Sequence, residues 1–229
     1  MIIDLHVHTQ EVSGCSNVSV EDMIDKYHAK GYDAVVITNH FCRYTRDFGK
    51  FEKWDDFVDF FMIPINRGRE YAKKYGMKIF WGIELRFNCD YANDFLVYGI
   101  TEEFLKEHPN MLDMSIAEFS PIARNAGCLI YQAHPFRDWI QVIPPKFLDG
   151  VEVNNGHPYQ NSRNDFARLW ADVHGLGMIS GSDFHQDGYE AHGGIVTFKD
   201  IETNDELCDI LRSGEYNLIC DKTGGFVRK

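Results

Sequence analysis

Apolar positions along the chain gather into short runs separated by amphipathic stretches. The first run, IIDLHVH at residues 2–8, precedes a helical stretch near Val20–Lys30. There Val20, Met23, Ile24 and Tyr27 form an apolar stripe, Ser19 stands as N-cap with Asp22 three residues on, and Gly31 provides a stop. A second run, AVVITNH, ends at His40, and a mostly helical stretch from Trp54 to Tyr75 follows, with a break expected near Pro64. KIFWGIELRF at 78–87 carries Glu84, and FLVYGI spans 95–100. A helix is expected near Ile116–Asn125, with Pro121 starting or kinking one of its turns. GCLIYQAHP contains His134, GVEVNNG contains Glu152, and MISGSDFH closes on Asp183 and His185. A helix near Arg163–His174 stops at Gly175, and residues 195–198 add a short extended piece. A last helix, near Asp205–Arg212, is capped by Asn204 and stopped by Gly214.

Seven such strand–helix units with nearly continuous apolar strands predict a parallel sheet covered by helices. The count favours a single α/β domain over 1–229, a distorted (β/α)7 TIM-like barrel, with a C-terminal helix and tail from about 199. No GxGxxG follows a strand and GSDFH is not a phosphate-cradling P-loop, so a dinucleotide fold is set aside.

With 229 residues, 44% of them hydrophobic, the chain can bury a sizeable core. Its net charge of -12 disfavours nucleic acid as a partner, since phosphate backbones recruit basic surfaces. It leaves room for a small phosphorylated molecule, because a metal supplies positive charge locally. The six cysteines form no CxxC pair and no disulfide framework. No signal segment and no membrane-spanning run is read, so a cytoplasmic, soluble protein is expected.

Chemistry enters with the placement of ligand-type residues. Residues two apart on a strand share a face, so Asp4, His6 and His8 point the same way. His6, His8, His40, Glu84, His134, Asp183 and His185 all fall at or near the C-terminal ends of the expected strands. In a barrel those ends gather on one face. Buried together, such groups repel or titrate unless a divalent metal neutralises them. His28, His108 and His174 fit helix surfaces, whereas His157 and His192 stay ambiguous between bystander and site.

DLHVHT, ITNH, GIEL, QAHPFR, GVEVNNG and GSDFH, in this order, resemble the motifs of the PHP family, the polymerase and histidinol phosphatase superfamily. The resemblance runs from residue 3 to about 198. It implies a distorted barrel with one to three metals (zinc, manganese or iron) and hydrolysis of phosphate esters. It implies further that His6, His8 and Asp183 hold a first metal. Glu84 would bridge this metal to a second, bound also by His134, with His40 and His185 on a third. Asp4 would orient a ligand imidazole, and Glu152 sits in a family motif without an assigned role.

The chain departs from the family pattern in two places. After HxHT it reads QEVSGCS, where Cys15 is either a thiolate ligand or, the preferred reading, a small buried residue. After the fourth strand Thr101 occupies the place of a family histidine. The reaction read from this constellation is hydrolysis of a small phosphomonoester by a metal-activated water, with Asp183 and His185 in the catalytic set. Arg137 and Arg43 are candidates to grip phosphate, and His185 or His157 to protonate the leaving group. Two alternatives remain: an amidohydrolase-like metal hydrolase, and a non-catalytic metal-binding scaffold or regulatory module. Oligomeric state is not legible in the sequence.

Overall fold

The computed structural model describes residues 1–89, 92–220 and 226–227. Seven strands form the barrel wall. Besides a two-residue β3 (His40–Phe41) set against β4 (Lys78–Leu85), they are, among the described residues, β1 (Ile2–Val7), β2 (Ala34–Ile37), β4, β5 (Phe95–Tyr98), β6 (Leu129–Gln132), β7 (Gly150–Asn155) and β8 (Gly177–Gly181). β3 pairs with β4 off the main path, so the seven around the wall run β1-β2-β4-β5-β6-β7-β8. A parallel bridge between Val7 and Phe184 brings the two ends back together, nearly closing the sheet. Beyond β1, β9 (Gly194–Thr197) and β10 (Tyr216–Ile219) continue the sheet, and Phe226–Val227 pair with β10. The rest of the expected C-terminal tail lies outside the described residues.

Every wall strand is almost wholly buried, as a sheet covered on both faces requires. Among the described residues the outer layer is built from seven helices: α1 (Val20–Ala29), α2 (Arg43–Phe48), α3 (Trp54–Ala72), α4 (Glu102–Glu107), α5 (Ile116–Asn125), α6 (Asn164–His174) and α7 (Asn204–Ser213). Their ends follow local chemistry. Ser19 caps α1, and Ser115 with Glu118 closes a capping box on α5. Thr203, not Asn204, caps α7, because Glu206 three residues on completes the box with Thr203.

The structure departs from the sequence reading in two further ways. α3 runs unbroken through Pro64, its apolar face of Phe57, Phe61, Ile65 and Gly68 being buried. Packing of that face offsets the one backbone bond that proline removes. More consequential is strand direction. β5 runs antiparallel to both β4 and β6, and β9 antiparallel to β1. The barrel is therefore mixed, and the start of β5 lies beside the ends of β4 and β6, with Phe95 opposite Leu85 and Gln132. Among the described residues no helix is long and apolar enough to cross a membrane.

Candidate metal centre

The end of β1 and the residue just past it carry the first two candidate ligands, His6 and His8. A register irregularity between Asp4 and Val7 re-aims this stretch, and a second lies in β7 between Glu152 and Asn154. β8 passes close enough that a Cβ on Gly181 would stand 2.3 Å from His6 Cβ and 2.9 Å from Glu152 Oε1. Only glycine permits that approach. Just past β8 the backbone of Asp183 is left-handed, φ 54°, as is that of His134 after β6, φ 30°. Two candidate ligands thus sit in strained conformations, a pattern typical of sites where the surroundings fix the geometry.

Both imidazoles of β1 are buried, and their tautomers follow from their partners. His6 Nδ1 lies 2.9 Å from Glu152 Oε1, a carboxylate that can only accept, so Nδ1 carries the proton. Ser13 Oγ donates to Asn39 Oδ1 at 2.9 Å and accepts from His40 N at 3.0 Å. It therefore accepts again from His8 Nδ1, 3.0 Å away. Each ring therefore turns its Nε2 inward, and the two Nε2 atoms are 3.1 Å apart. Asp183 Oδ1 stands 3.4 Å from His6 Nε2 and 3.5 Å from His8 Nε2. Glu84 Oε1 is 3.3 Å from His6 Nε2 and 3.2 Å from His134 Nε2. Glu84 Oε2 approaches His8 Nε2 at 3.2 Å and His40 Nδ1 at 2.8 Å, yet neither contact has hydrogen-bond geometry. His134 Nδ1 is likewise buried and unpartnered.

Two carboxylates and several imidazoles crowded into a dry interior are costly unless positive charge, from a metal or from protons in its place, stands among them. Separations of this size match neighbouring ligands around one ion, since donors 2.0–2.1 Å from a tetrahedral metal stand about 3.3 Å apart. The donor set therefore fits a divalent metal. Among the described residues three overlapping groups have ligand atoms within 4.8 Å of one another: His6–His8–Asp183, His8–His40–His185 and His40–Glu84–Asp94. Burial raises the cost of charging Asp183, but His6, Arg137 and His185 hold its carboxyl well below the usual range. Burial also opposes ionisation of Glu84, and His40 and His6 outweigh it in the same way. His185 is pushed down to about 3, chiefly by burial and then by His8.

The structure brings all seven candidate ligands together and corrects several companions. Asp94, missed in the sequence, is buried at the site because antiparallel β5 begins there. Its carbonyl accepts from Ala133 N at 3.0 Å, next to His134. Thr101 lies beyond the other end of β5 and caps α4 through Phe104 N. It is a helix cap and not a ligand stand-in. Asp4 touches no imidazole. It accepts from Tyr27 Oη at 2.8 Å, Ser182 N at 3.0 Å and His6 N at 3.1 Å. The orienting role expected of Asp4 falls to Glu152 for His6 and to Ser13 for His8. Cys15 is exposed, not buried, and lines the mouth of the cavity together with His40.

Above the ligands opens a cavity of about 660 Å³, lined among others by Arg86, Arg137, His157 and Trp139. Arg137 reaches down to Asp183 Oδ2 at 2.5 Å and is braced by Ser162 and Asn155. Arg43 is not at the site: it is exposed on α2 and pairs with Asp47 at 3.2 Å. Arg86 lines the cavity in its stead, bonded to Asp94 through Nε and Nη2. His157 also lines it, its ring 4.8 Å from that of Tyr189, and burial lowers its pKa. His192 does not line the cavity; His28 and His108 stack on Tyr75 and Phe104, and His174 packs tilted against Trp170, none of them lining the cavity.

Comparisons with known proteins place this geometry. Among curated proteins none matches the chain. Among solved structures, a two-domain protein of Bacteroides vulgatus containing a predicted PHP-like metal-dependent phosphoesterase superposes with TM-score 0.68 at 19% identity. That match covers 96% of this chain but only 65% of the other. An amidohydrolase of Chromobacterium violaceum, with bound sulfate, matches with TM-score 0.54 at 16% identity, covering 91% and 96% of the two chains. Endonuclease Q, in complex with a 27-mer duplex carrying an abasic lesion at its active site, matches with TM-score 0.61 at 15% identity, covering 93% and 57%. The last finding overturns the expectation that a small phosphorylated molecule is the partner and nucleic acid is disfavoured. A protein of this fold holds a duplex at its active site, and bulk acidity does not govern a site where arginines and metals set the local charge. The PHP domain profile matches residues 4–207, and with the ligand set now assembled at one end of the barrel, the chain belongs to the PHP domain family.

Proposed function

We propose that this chain is a metal-dependent phosphoric monoester hydrolase, its leaving group being either a small alcohol or a nucleotide strand. The observation that carries the reading is the inward convergence of His6 Nε2 and His8 Nε2 on the carboxylates of Glu84 and Asp183, beneath an arginine. His6, His8 and Asp183 would hold a first divalent ion, and Glu84, His134, His40, His185 and Asp94 would offer donors for further ones. This nitrogen and oxygen donor set suits zinc, manganese or iron, in two or three positions that share His8 and His40. Such ions supply a nucleophilic water near neutral pH and charge to offset the phosphoryl oxygens.

The protein's own groups do the rest. Glu152 and Ser13 keep both β1 imidazoles in the tautomer that aims Nε2 inward. Arg137, fixed by Ser162, Asn155 and Asp183, offers its guanidinium to the phosphoryl oxygens from the cavity side. His157 Nδ1 accepts from Tyr159 N at 3.3 Å, which leaves Nε2 to carry a proton towards the leaving oxygen.

The test joins elemental mass spectrometry of gently purified protein with phosphate release from a panel of monoesters and a phosphodiester. Two or more equivalents of metal, with monoester hydrolysis lost in Asp183→Ala, is the expected result. Metal without hydrolysis would leave a scaffold. Cleavage of amides or of the diester alone would replace the reading.

A further inference from the structure

We infer that Trp139 is a stacking platform for a nucleobase, so that the phosphate ester cleaved at this centre is a nucleotide, free or at a strand end. The inference rests on the hydrolase reading and names its substrate class. Of the large apolar side chains exposed among the described residues, Trp139 alone lines the cavity above the ligands. It is 92% exposed. Its backbone is left-handed, φ 71°, a conformation that costs an ordinary residue free energy.

A loose loop would account for such exposure, but this loop is pinned on both sides of the tryptophan. Arg137 N donates to His134 O at 3.1 Å and Ile140 N to Arg137 O at 3.2 Å. Arg163 holds Phe136 O at 2.6 Å and Asp138 at 2.5 Å. Gln141 N donates to Asn93 Oδ1 at 2.9 Å, and Gln141 O accepts from Gln132 at 2.7 Å. The same loop thus fixes His134 among the ligands, Arg137 over Asp183, and an indole at the rim. A bare aromatic face beside a phosphate site is what a base requires, since every base offers a π-face. Gln160 and Asn161 line the same mouth with amides suited to base edges. A cavity of about 660 Å³ is of the size that takes a ligand this large.

The test compares Trp139→Ala and Trp139→Phe with the parent enzyme on adenosine 5′-monophosphate, ribose 5-phosphate and a 5′-phosphorylated trinucleotide. Expected is a fall of about tenfold in the preference for the nucleotide over ribose 5-phosphate in the alanine variant, carried by KM, with phenylalanine recovering most of it. A larger effect on the trinucleotide than on the mononucleotide assigns the site to strand ends, and the reverse to free nucleotides; both support the platform. Hydrolysis of all three with an unchanged preference would overturn the inference while the hydrolase reading stood. If the parent hydrolyses none of them, that reading fails, and tryptophan fluorescence decides the platform alone. Quenching by a non-hydrolysable methylenephosphonate analogue of the nucleotide, lost in Trp139→Phe, would sustain it. No quenching would overturn it.

Discussion

Two clusters of buried polar side chains depend on β1, one around Asp4 and one around His6 and His8. In the first, every acceptor meets a donor. Tyr27 and the backbone of Ser182 and His6 supply Asp4, and Tyr27 Oη lies 2.7 Å from Ser182 Oγ. In the second, a few ångströms along the strand, imidazole nitrogens and carboxylate oxygens crowd together and Glu84 Oε2 has no hydrogen-bond partner. Both are buried and both hold a carboxylate. What separates structure from site is whether hydrogen bonds close within the protein.

That contrast is open to direct attack. The largest expected effect is from His6→Ala, which should abolish metal retention and hydrolysis together while the chain stays folded, read by metal content, phosphate release and circular dichroism. Full activity in this variant would refute the assignment. Tyr27→Phe attacks the other cluster. It leaves Asp4 short of a donor and should cost about 1–3 kcal/mol in denaturant unfolding. The metal-to-chain ratio should not change; a drop in metal content would merge the two clusters into one.

Glu152→Gln sharpens the boundary between them, since Glu152 touches His6 from behind. Weakening of metal affinity by about 10–100-fold, measured by competition with a chelator, is expected for a group that orients a ligand. An unchanged affinity would remove Glu152 from the site. The proton balance gives a fourth measurement. Burial alone would depress His6, but Glu152, Asp183 and Glu84 lift it well above its ordinary value. The metal-free protein therefore holds a proton there that metal must displace. Affinity should rise with pH until that raised pKa is passed and fall on acidification, with proton release visible by calorimetry in buffers of different ionisation enthalpy. Binding independent of buffer and pH would show that His6 is not displaced. The smallest effect belongs to Arg43→Ala, which should alter neither stability nor KM measurably, because its pair with Asp47 is exposed. Arg137→Ala, by contrast, should raise KM.

Much of this was legible from residue order alone. HxH on a buried run, Glu84 in GIEL, His134 before proline and Asp183–His185 in GSDFH all stand where the structure assembles them. Local pattern sufficed because each sits at the end of a parallel strand, and parallel strands deliver their C-terminal ends to one face. β5 breaks that rule. FLVY is apolar throughout and reads the same in either direction, so nothing local says which end meets the ligands.

Sequence by itself determined the strand–helix alternation, the helix caps written into Ser19 and Ser115, and the chemical types of the ligands. Tertiary pairing alone decided that β5 runs backwards. That one reversal puts Asp94 beside His40 and Glu84 and sends Thr101 to the far end as a helix cap. Tertiary packing also decided that Glu152 backs His6, that Arg86 and not Arg43 reaches the cavity, and that Trp139 is left bare at its rim. The physical reason is common to all of these. Helix caps and strand alternation are set within a few residues, whereas strand direction and side-chain partners depend on contacts between segments far apart in the chain.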